Sequence, residues 1–65
     1  MQIVVNGEPL TTEASDLGTL CAALGLGDAK IATARNGAFV PAEARGTTQL
    51  AAGDEIEIVA PRQGG

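Results

Sequence analysis

Residues 53–61 read GDEIEIVAP, and along this segment apolar and acidic side chains alternate. Ile56 and Ile58 fall on one side of an extended chain and the two glutamates on the other, which is typical of a strand with one buried and one solvated face. Pro61 cannot donate a hydrogen bond to a sheet and ends the strand. We expect this strand to lie inside the sheet, with the last residues of the chain leaving the body at Pro61.

Two Asn-Gly pairs precede this strand, each between short runs of β-compatible residues. A type I′ turn needs positive φ angles at both central residues, and asparagine and glycine supply them readily. Asn6-Gly7, in QIVVNGEPLTTE at residues 2–13, predicts an N-terminal hairpin. Asn36-Gly37, in KIATARNGAFVP at residues 30–41, predicts a second hairpin.

The segment SDLGTLCAALGLG, residues 15–27, has a helical repeat. Its apolar side chains fall at i, i+3, i+4 and i+7, which places them on one helical face: Leu17, Leu20, Cys21 and Leu24. Ser15 or Asp16 is a suitable N-cap, and Gly25 or Gly27 is a suitable end of the helix.

The predicted order of elements is strand, strand, helix, strand, strand, strand. An irregular connection that includes one helical turn is predicted in AEARGTTQLAAG, residues 42–53. This order predicts an α+β fold in which one main helix packs on one face of a mixed sheet of about five strands. Phe39 is the only aromatic residue, so the core must be aliphatic. We expect one domain over residues 1–60 and a flexible C-terminal tail over residues 61–65.

Charge argues against several classes of partner. The 65 residues have a net charge of −4, and the four basic side chains are scattered along the chain. Nucleic acid and anionic membrane would be repelled, whereas a protein with a basic face would be attracted. The opening MQIVVNGEPL has neither a basic leader nor an apolar run long enough to span a membrane, so a cytoplasmic location is expected.

The residue types argue against catalysis. The chain has no histidine, tyrosine or tryptophan, and GLGDAK is not a phosphate-binding loop, so neither a catalytic triad nor a His-based metal site is available. Cys21 is the single cysteine, and its place on the apolar helix face indicates a buried, inert thiol. The acidic group Asp54, Glu55 and Glu57 is interpreted as a solvated strand edge or a surface for a basic partner rather than as a metal site.

The chain ends in PRQGG, with Gly64 and Gly65 last. A frayed terminus is one interpretation. The other is steric, because glycine lets a backbone pass through a narrow channel without side-chain clashes and with free choice of φ. In that interpretation the terminal carboxylate is processed inside another protein.

Several stretches in this order match a known family: VNGE, SDLGTLCAAL, ARNGAFVP, LAAGDEIEIV and the final Gly-Gly. Over nearly its whole length the chain resembles the small sulfur carriers of the ubiquitin-like β-grasp superfamily, and most closely the ThiS family of thiamine biosynthesis. The resemblance implies that an adenylating enzyme of the ubiquitin-activating-like family uses ATP and magnesium to convert the Gly65 carboxylate into an acyl-adenylate. Sulfur from a donor such as a cysteine desulfurase system then yields a thiocarboxylate, which thiazole synthase consumes.

The resemblance also implies which residues meet the partners. Gly64 and Gly65 would enter a partner's active site, and the chain itself would be a cosubstrate that binds no cofactor and catalyses nothing. The partner surface in the family is apolar and lies on the sheet, where Val4 and Val59 are the outward candidates, with Arg62 beside them. In the loop after Pro41 many relatives have an arginine followed by an aromatic residue, whereas this chain has its arginine later, at Arg45.

The sequence leaves open two alternatives to a sulfur carrier of thiamine biosynthesis. The chain could be a sulfur carrier of another pathway, such as the small subunit of molybdopterin synthase or a carrier for cysteine or tungsten-cofactor synthesis. It could also be a non-covalent β-grasp protein-binding module whose glycine tail has no chemistry, since a fold by itself does not determine function.

Overall fold

The strand formed by the alternating segment lies at the centre of a five-stranded sheet. A computed structural model describes residues 1–27 and 30–60 of the chain. The strands occur in the spatial order β2-β1-β5-β3-β4. The elements in chain order are β1 (Gln2–Val5), β2 (Glu8–Thr11), α1 (Leu17–Ala23), β3 (Ala32–Arg35), β4 (Ala38–Val40), a 3₁₀ helix (Ala42–Thr47) and β5 (Glu55–Val59).

Strand β5 has a different kind of neighbour on each side. It pairs in parallel with β1, where Val5 lies opposite Ile56, and antiparallel with β3, where Thr33 lies opposite Ile58. The outer pairs, β1 with β2 and β3 with β4, are antiparallel hairpins. The sheet is therefore mixed and its last strand is internal, which confirms both predictions.

The two hairpins turn at the Asn-Gly pairs. Asn6 and Asn36 both have φ of 51°, and the glycines after them have φ of 83° and 86°. Positive φ at both central residues defines the type I′ turn and suits the right-handed twist of the strands. The prediction from the Asn-Gly pairs is confirmed at both places.

Helix α1 is short and has a side-chain cap at its beginning. The Asp16 side chain accepts a hydrogen bond from the Thr19 amide at 2.7 Å, which satisfies one of the free N–H groups of the first turn. At the other end Leu24 is the C-cap, and Gly25 follows with φ of 79°, a left-handed conformation that costs glycine little. Of the suggested caps, the structure uses Asp16 and Gly25.

The core lies between α1 and one face of the sheet. It is aliphatic apart from the Cys21 thiol, as expected, and consists of Ile3, Ala14, Leu17, Leu20, Cys21, Val40, Leu50, Ile56 and Ile58. Thr33 is the buried polar residue on the sheet side, and its hydroxyl donates to the Val40 carbonyl at 2.8 Å. Among the residues described, every buried polar side-chain atom has a hydrogen-bond partner.

The 3₁₀ helix and the residues after it connect α1 to the sheet. The Leu17 amide donates to the Thr48 carbonyl at 2.9 Å, and the Leu50 amide donates to the Ser15 carbonyl at 2.9 Å. Arg45, within the 3₁₀ helix, donates to the Thr33 hydroxyl at 3.0 Å and to the Ile31 carbonyl at 2.7 Å. The connection predicted to contain one helical turn is thus an ordered bridge from α1 to β3.

Candidate functional site

The predicted modified residue, Gly65, lies outside the residues that the structure describes, as do Gly64 and Arg62. The structure does describe the segment that leads to them. Strand β5 ends at Val59, and Ala60 follows it. The site can therefore be described from the end of β5 and from the surface around that end.

The face of the sheet turned away from α1 is uncovered in the described part of the chain. We call it the open face, and the seven residues that define it are Val4, Ala32, Ala34, Phe39, Glu55, Glu57 and Val59. Their neighbours in each strand point toward α1, because successive side chains of a strand alternate between the two faces. Ile3, Thr33, Val40, Ile56 and Ile58 are the buried neighbours.

The register of the strands brings the apolar residues of the open face together on one side of it. Phe39 lies opposite Ala34, and Ala32 lies opposite Val59. Phe39 is 70% exposed and Val59 is 61% exposed, the two largest exposures among the large apolar side chains in the described part of the chain. These four residues form an apolar strip over β3, β4 and the end of β5.

The two valines proposed as a partner surface differ in their surroundings. Val59 is exposed at the end of β5, next to the beginning of the tail. Val4 is half-buried between Pro9 and Glu55, its partners on the neighbouring strands. Both side chains lie on the open face, as the sequence predicted, but Val59 offers more apolar surface.

Phe39 is the large apolar residue of this surface for which the sequence predicted no contact. The signal was present, because Val40 is an inward-facing core residue and the residue before it on a strand must point outward. As the only aromatic residue of the sequence, Phe39 indicated an aliphatic core and no surface role. An exposed aromatic ring on a short strand is a typical anchor of a protein interface.

The acidic group of the sequence analysis is split between the two faces. Glu55 and Glu57 are exposed on the open face of the central strand, so the interpretation as a strand edge is wrong, while a surface that suits a basic partner is consistent with their position. Asp54 lies on the other face, buried and bonded to Arg35. No group of three potential metal ligands occurs within residues 1–27 and 30–60.

Cys21 does not contribute to this surface. It lies in the core under α1, and burial raises the pKa of its thiol, an effect that the charge of Arg45 only partly opposes. A protonated, buried thiol is a poor nucleophile. The prediction of a buried cysteine is confirmed.

No helix in the described portion of the chain is long and apolar enough to cross a membrane.

Comparison with known proteins gives a family and two similar structures. The model of the ThiS family matches residues 2–65. A crystal structure of thiamine biosynthesis protein ThiS from Geobacter metallireducens is similar over 100% of both chains, with a TM-score of 0.83 and 29% identity. A solution structure of a thiamine biosynthesis protein from the same organism has a TM-score of 0.80 and 28% identity, over 100% of this chain and 88% of that one.

No curated protein sequence matches the chain significantly. The similarity to the crystal structure extends over the full length of both chains, which confirms the ubiquitin-like β-grasp fold that the family resemblance implied.

Proposed function

The chain belongs to the ThiS family, and from this membership we propose that it is a sulfur carrier of thiamine biosynthesis whose Gly65 carboxylate is converted to a thiocarboxylate. The observation on which the proposal depends is that the family match extends from residue 2 to residue 65 and so includes the terminal Gly-Gly pair. In this role the chain is a cosubstrate of other pathway proteins and no catalyst.

The chemistry requires activation because a carboxylate is a poor electrophile. A carboxylate oxygen of Gly65 attacks the α-phosphorus of ATP, held with magnesium by an adenylating enzyme of the ubiquitin-activating-like family, and pyrophosphate leaves. The terminal sulfur of a persulfide, supplied by a donor such as a cysteine desulfurase system, then attacks the acyl carbon and displaces AMP. A thiol reduces the resulting acyl disulfide, which releases the thiocarboxylate and leaves a disulfide between the thiol and the donor.

The final step passes the sulfur to the acceptor. A thiocarboxylate sulfur is a good nucleophile, whereas the rest of the chain is unreactive. It can therefore attack an electrophilic carbon of a substrate that thiazole synthase holds. Water then attacks the acyl carbon of the resulting thioester, which leaves the sulfur on the acceptor and returns a carboxylate at Gly65, ready for another cycle. The proposed location of this cycle is the cytoplasm, where ATP and the partner enzymes are available.

The open face is proposed to dock on the adenylating enzyme. Its apolar strip would bury Phe39 and Val59 in the interface, with Val4 and Arg62 as further contacts, and Glu55 and Glu57 would meet basic side chains of the enzyme. Removing two exposed apolar side chains from water favours association in proportion to their area. Since Val59 ends β5, the docked surface is continuous with the start of the tail.

The test is an intact-protein mass measurement. The chain is incubated with an adenylating enzyme of a ThiS system, ATP, magnesium and a persulfide donor, and a parallel mixture omits ATP. We expect an ATP-dependent exchange of one oxygen for one sulfur, mapped by fragmentation to Gly65. A variant lacking Gly65 is the matched control, because Ile58 is the last core residue in the described part of the chain and the deletion leaves it in place, so the variant should fold.

An unchanged mass, with the enzyme active on its own carrier, would reject this assignment of the activating enzyme. Sulfur incorporated at Cys21 instead of Gly65 would reject the carrier mechanism itself.

A further inference from the structure

The side chain of Asn6 makes two hydrogen bonds to one residue of the last strand. Its Oδ1 accepts from the Ile58 amide at 2.9 Å, and its Nδ2 donates to the Ile58 carbonyl at 3.1 Å. The two residues are 52 positions apart in the chain. The contact therefore joins the first turn of the protein to the last strand.

The hydrogen bonds of Asn6 extend the pairing with β5 past the end of β1. The Asn6 backbone amide donates to the Ile56 carbonyl at 2.8 Å, which is the last main-chain hydrogen bond between β1 and β5. Beyond this point the chain turns back at Gly7, while β5 extends to Val59. The carboxamide of Asn6 supplies the acceptor and the donor that a longer β1 would have offered to Ile58 from two of its residues.

The type I′ turn by itself does not require asparagine at position 6. Asparagine, aspartate and glycine all suit the first central position of a type I′ turn, because each tolerates positive φ. Glycine has no side chain, and an ionised aspartate accepts but does not donate. Of the three, only asparagine can pair with both the N–H and the C=O of Ile58.

We propose that Asn6 is a positioning residue for activation of the C terminus: its carboxamide holds Ile58 beside β1 and so fixes where the tail leaves the sheet. This inference depends on the function proposed above. Ile58 is followed by one strand residue, Val59, and by Ala60. Ile58 thus sets the position from which the chain continues toward Gly65, and alignment of the reacting carboxylate with ATP depends on that position.

The second Asn-Gly turn provides a matched control. Asn36 has the same φ of 51° and is also followed by glycine, and its Oδ1 accepts from the Glu55 amide at 2.9 Å. This hydrogen bond of Asn36 lies at the beginning of β5, on the side that faces β3. Loss of the Asn36 carboxamide therefore removes one hydrogen bond to the same strand, at the end remote from the tail, and one to the Asp54 side chain just before that strand.

The test compares Asn6→Gly with Asn36→Gly in the full chain, since glycine keeps positive φ accessible and removes only the side chain. Hydrogen exchange of the Ile58 amide should become about tenfold faster in Asn6→Gly and change much less in Asn36→Gly. With an adenylating enzyme of a ThiS system, kcat should fall about tenfold in Asn6→Gly while KM changes less than about twofold, because docking is retained and alignment is lost. Asn6→Asp, which keeps the acceptor and loses the donor, should lie between Asn6→Gly and the unchanged chain.

The outcomes separate this inference from the proposed function. If the unchanged chain is activated but Asn6→Gly and Asn36→Gly have the same kcat, Asn6 has no special role and the inference is wrong. Unaltered exchange at Ile58 would also overturn it. If the unchanged chain is not activated by any such enzyme, the proposed function fails, whatever the exchange of Ile58 shows.

Discussion

The Nε atom of Arg35 donates to Oδ2 of Asp54 at 2.7 Å and so connects the end of β3 to the loop before β5. The same carboxylate accepts from the Ala51 amide at 2.8 Å and from Asn36 Nδ2 at 3.0 Å. The Asp54 side chain is only 8% exposed, whereas that of Arg35 is 35% exposed. One carboxylate thus organises the loop that leads into the central strand.

This network predicts a loss of stability in acid. The hydrogen bond from Arg35, followed by those from Ala51 and Asn36, lowers the pKa of Asp54 below its ordinary value of 3.8, and burial opposes this only partly. A lowered folded-state pKa means that the contribution of Asp54 is complete above the unfolded-state pKa and is lost as pH falls through the folded-state pKa. Urea unfolding at a series of pH values from neutral to below 3.8 should show this decline.

Asp54→Asn is the control for the acid effect. The variant should be less stable at neutral pH by on the order of 1 kcal/mol, because a neutral amide replaces the charged acceptor of Arg35. Its stability should also fall less steeply in acid than that of the unchanged chain. An identical slope in both proteins would assign the acid effect to other carboxyl groups.

The close approach of α1 to the 3₁₀ helix predicts a strict size limit at Gly18. A Cβ atom there would lie 3.2 Å from the Cα of Gly46 and 3.3 Å from its nitrogen, which are backbone atoms that cannot rotate away. We expect Gly18→Val to lower the free energy of unfolding by about 1–3 kcal/mol. Gly46→Ala is the control, because its methyl group would have no neighbour within 4 Å, and a larger loss there than at Gly18 would contradict the packing argument.

The buried thiol predicts slow modification of the native protein. Cys21 is 3% exposed and burial raises its pKa, so a disulfide reagent should label it only as fast as the protein opens. Cys21→Ala should cost about 1 kcal/mol of stability for a small buried side chain and leave sulfur transfer unchanged. Loss of transfer at unchanged stability would show that the thiol takes part in the chemistry.

Much of the fold was predictable because its signals are local. The alternation through Ile56 and Ile58, the helical repeat from Leu17, and the two Asn-Gly turns each depend on a few adjacent residues. From such patterns one can predict which face of a strand is buried and where a hairpin turns, because neither depends on residues far away in the sequence. The central position of β5 also agreed with the prediction.

The interactions that position the site are not local and could not be predicted. From its sequence neighbours, Asn6 is predicted only to form a turn. Its hydrogen bonds to Ile58 depend on the pairing of β1 with β5, which the local sequence does not specify. In the sequence, Asp54 is one of three clustered acidic residues. In the structure it is buried on one face of the sheet, whereas its neighbour Glu55 is exposed on the other. Side-chain pairing across the sheet depends on register, which the sequence pattern leaves open.

The exposed ring of Phe39 predicts a loss of binding with little loss of stability. Phe39→Ala should change the free energy of unfolding by less than about 0.5 kcal/mol, because 70% of the residue is already in water. KM for adenylation should rise about tenfold if the ring is an anchor of the interface. Leu24→Ala, at the end of α1 and 40% exposed, is the control on the opposite side of the sheet and should leave KM unchanged.

The proposed function requires the tail to enter the active site of an adenylating enzyme. Gly64→Val adds a β-branched side chain next to the reacting residue, and it also restricts the backbone to negative φ. If a narrow channel selects glycine, kcat/KM for adenylation should fall about a hundredfold, since small displacements of a reacting group have effects of this size. Gln63→Ala, which shortens a side chain at the preceding position, should have little effect. Equal activation of both variants would refute the steric explanation of the Gly-Gly pair, whereas a loss confined to Gly64→Val would place the narrowest part of the channel at that residue.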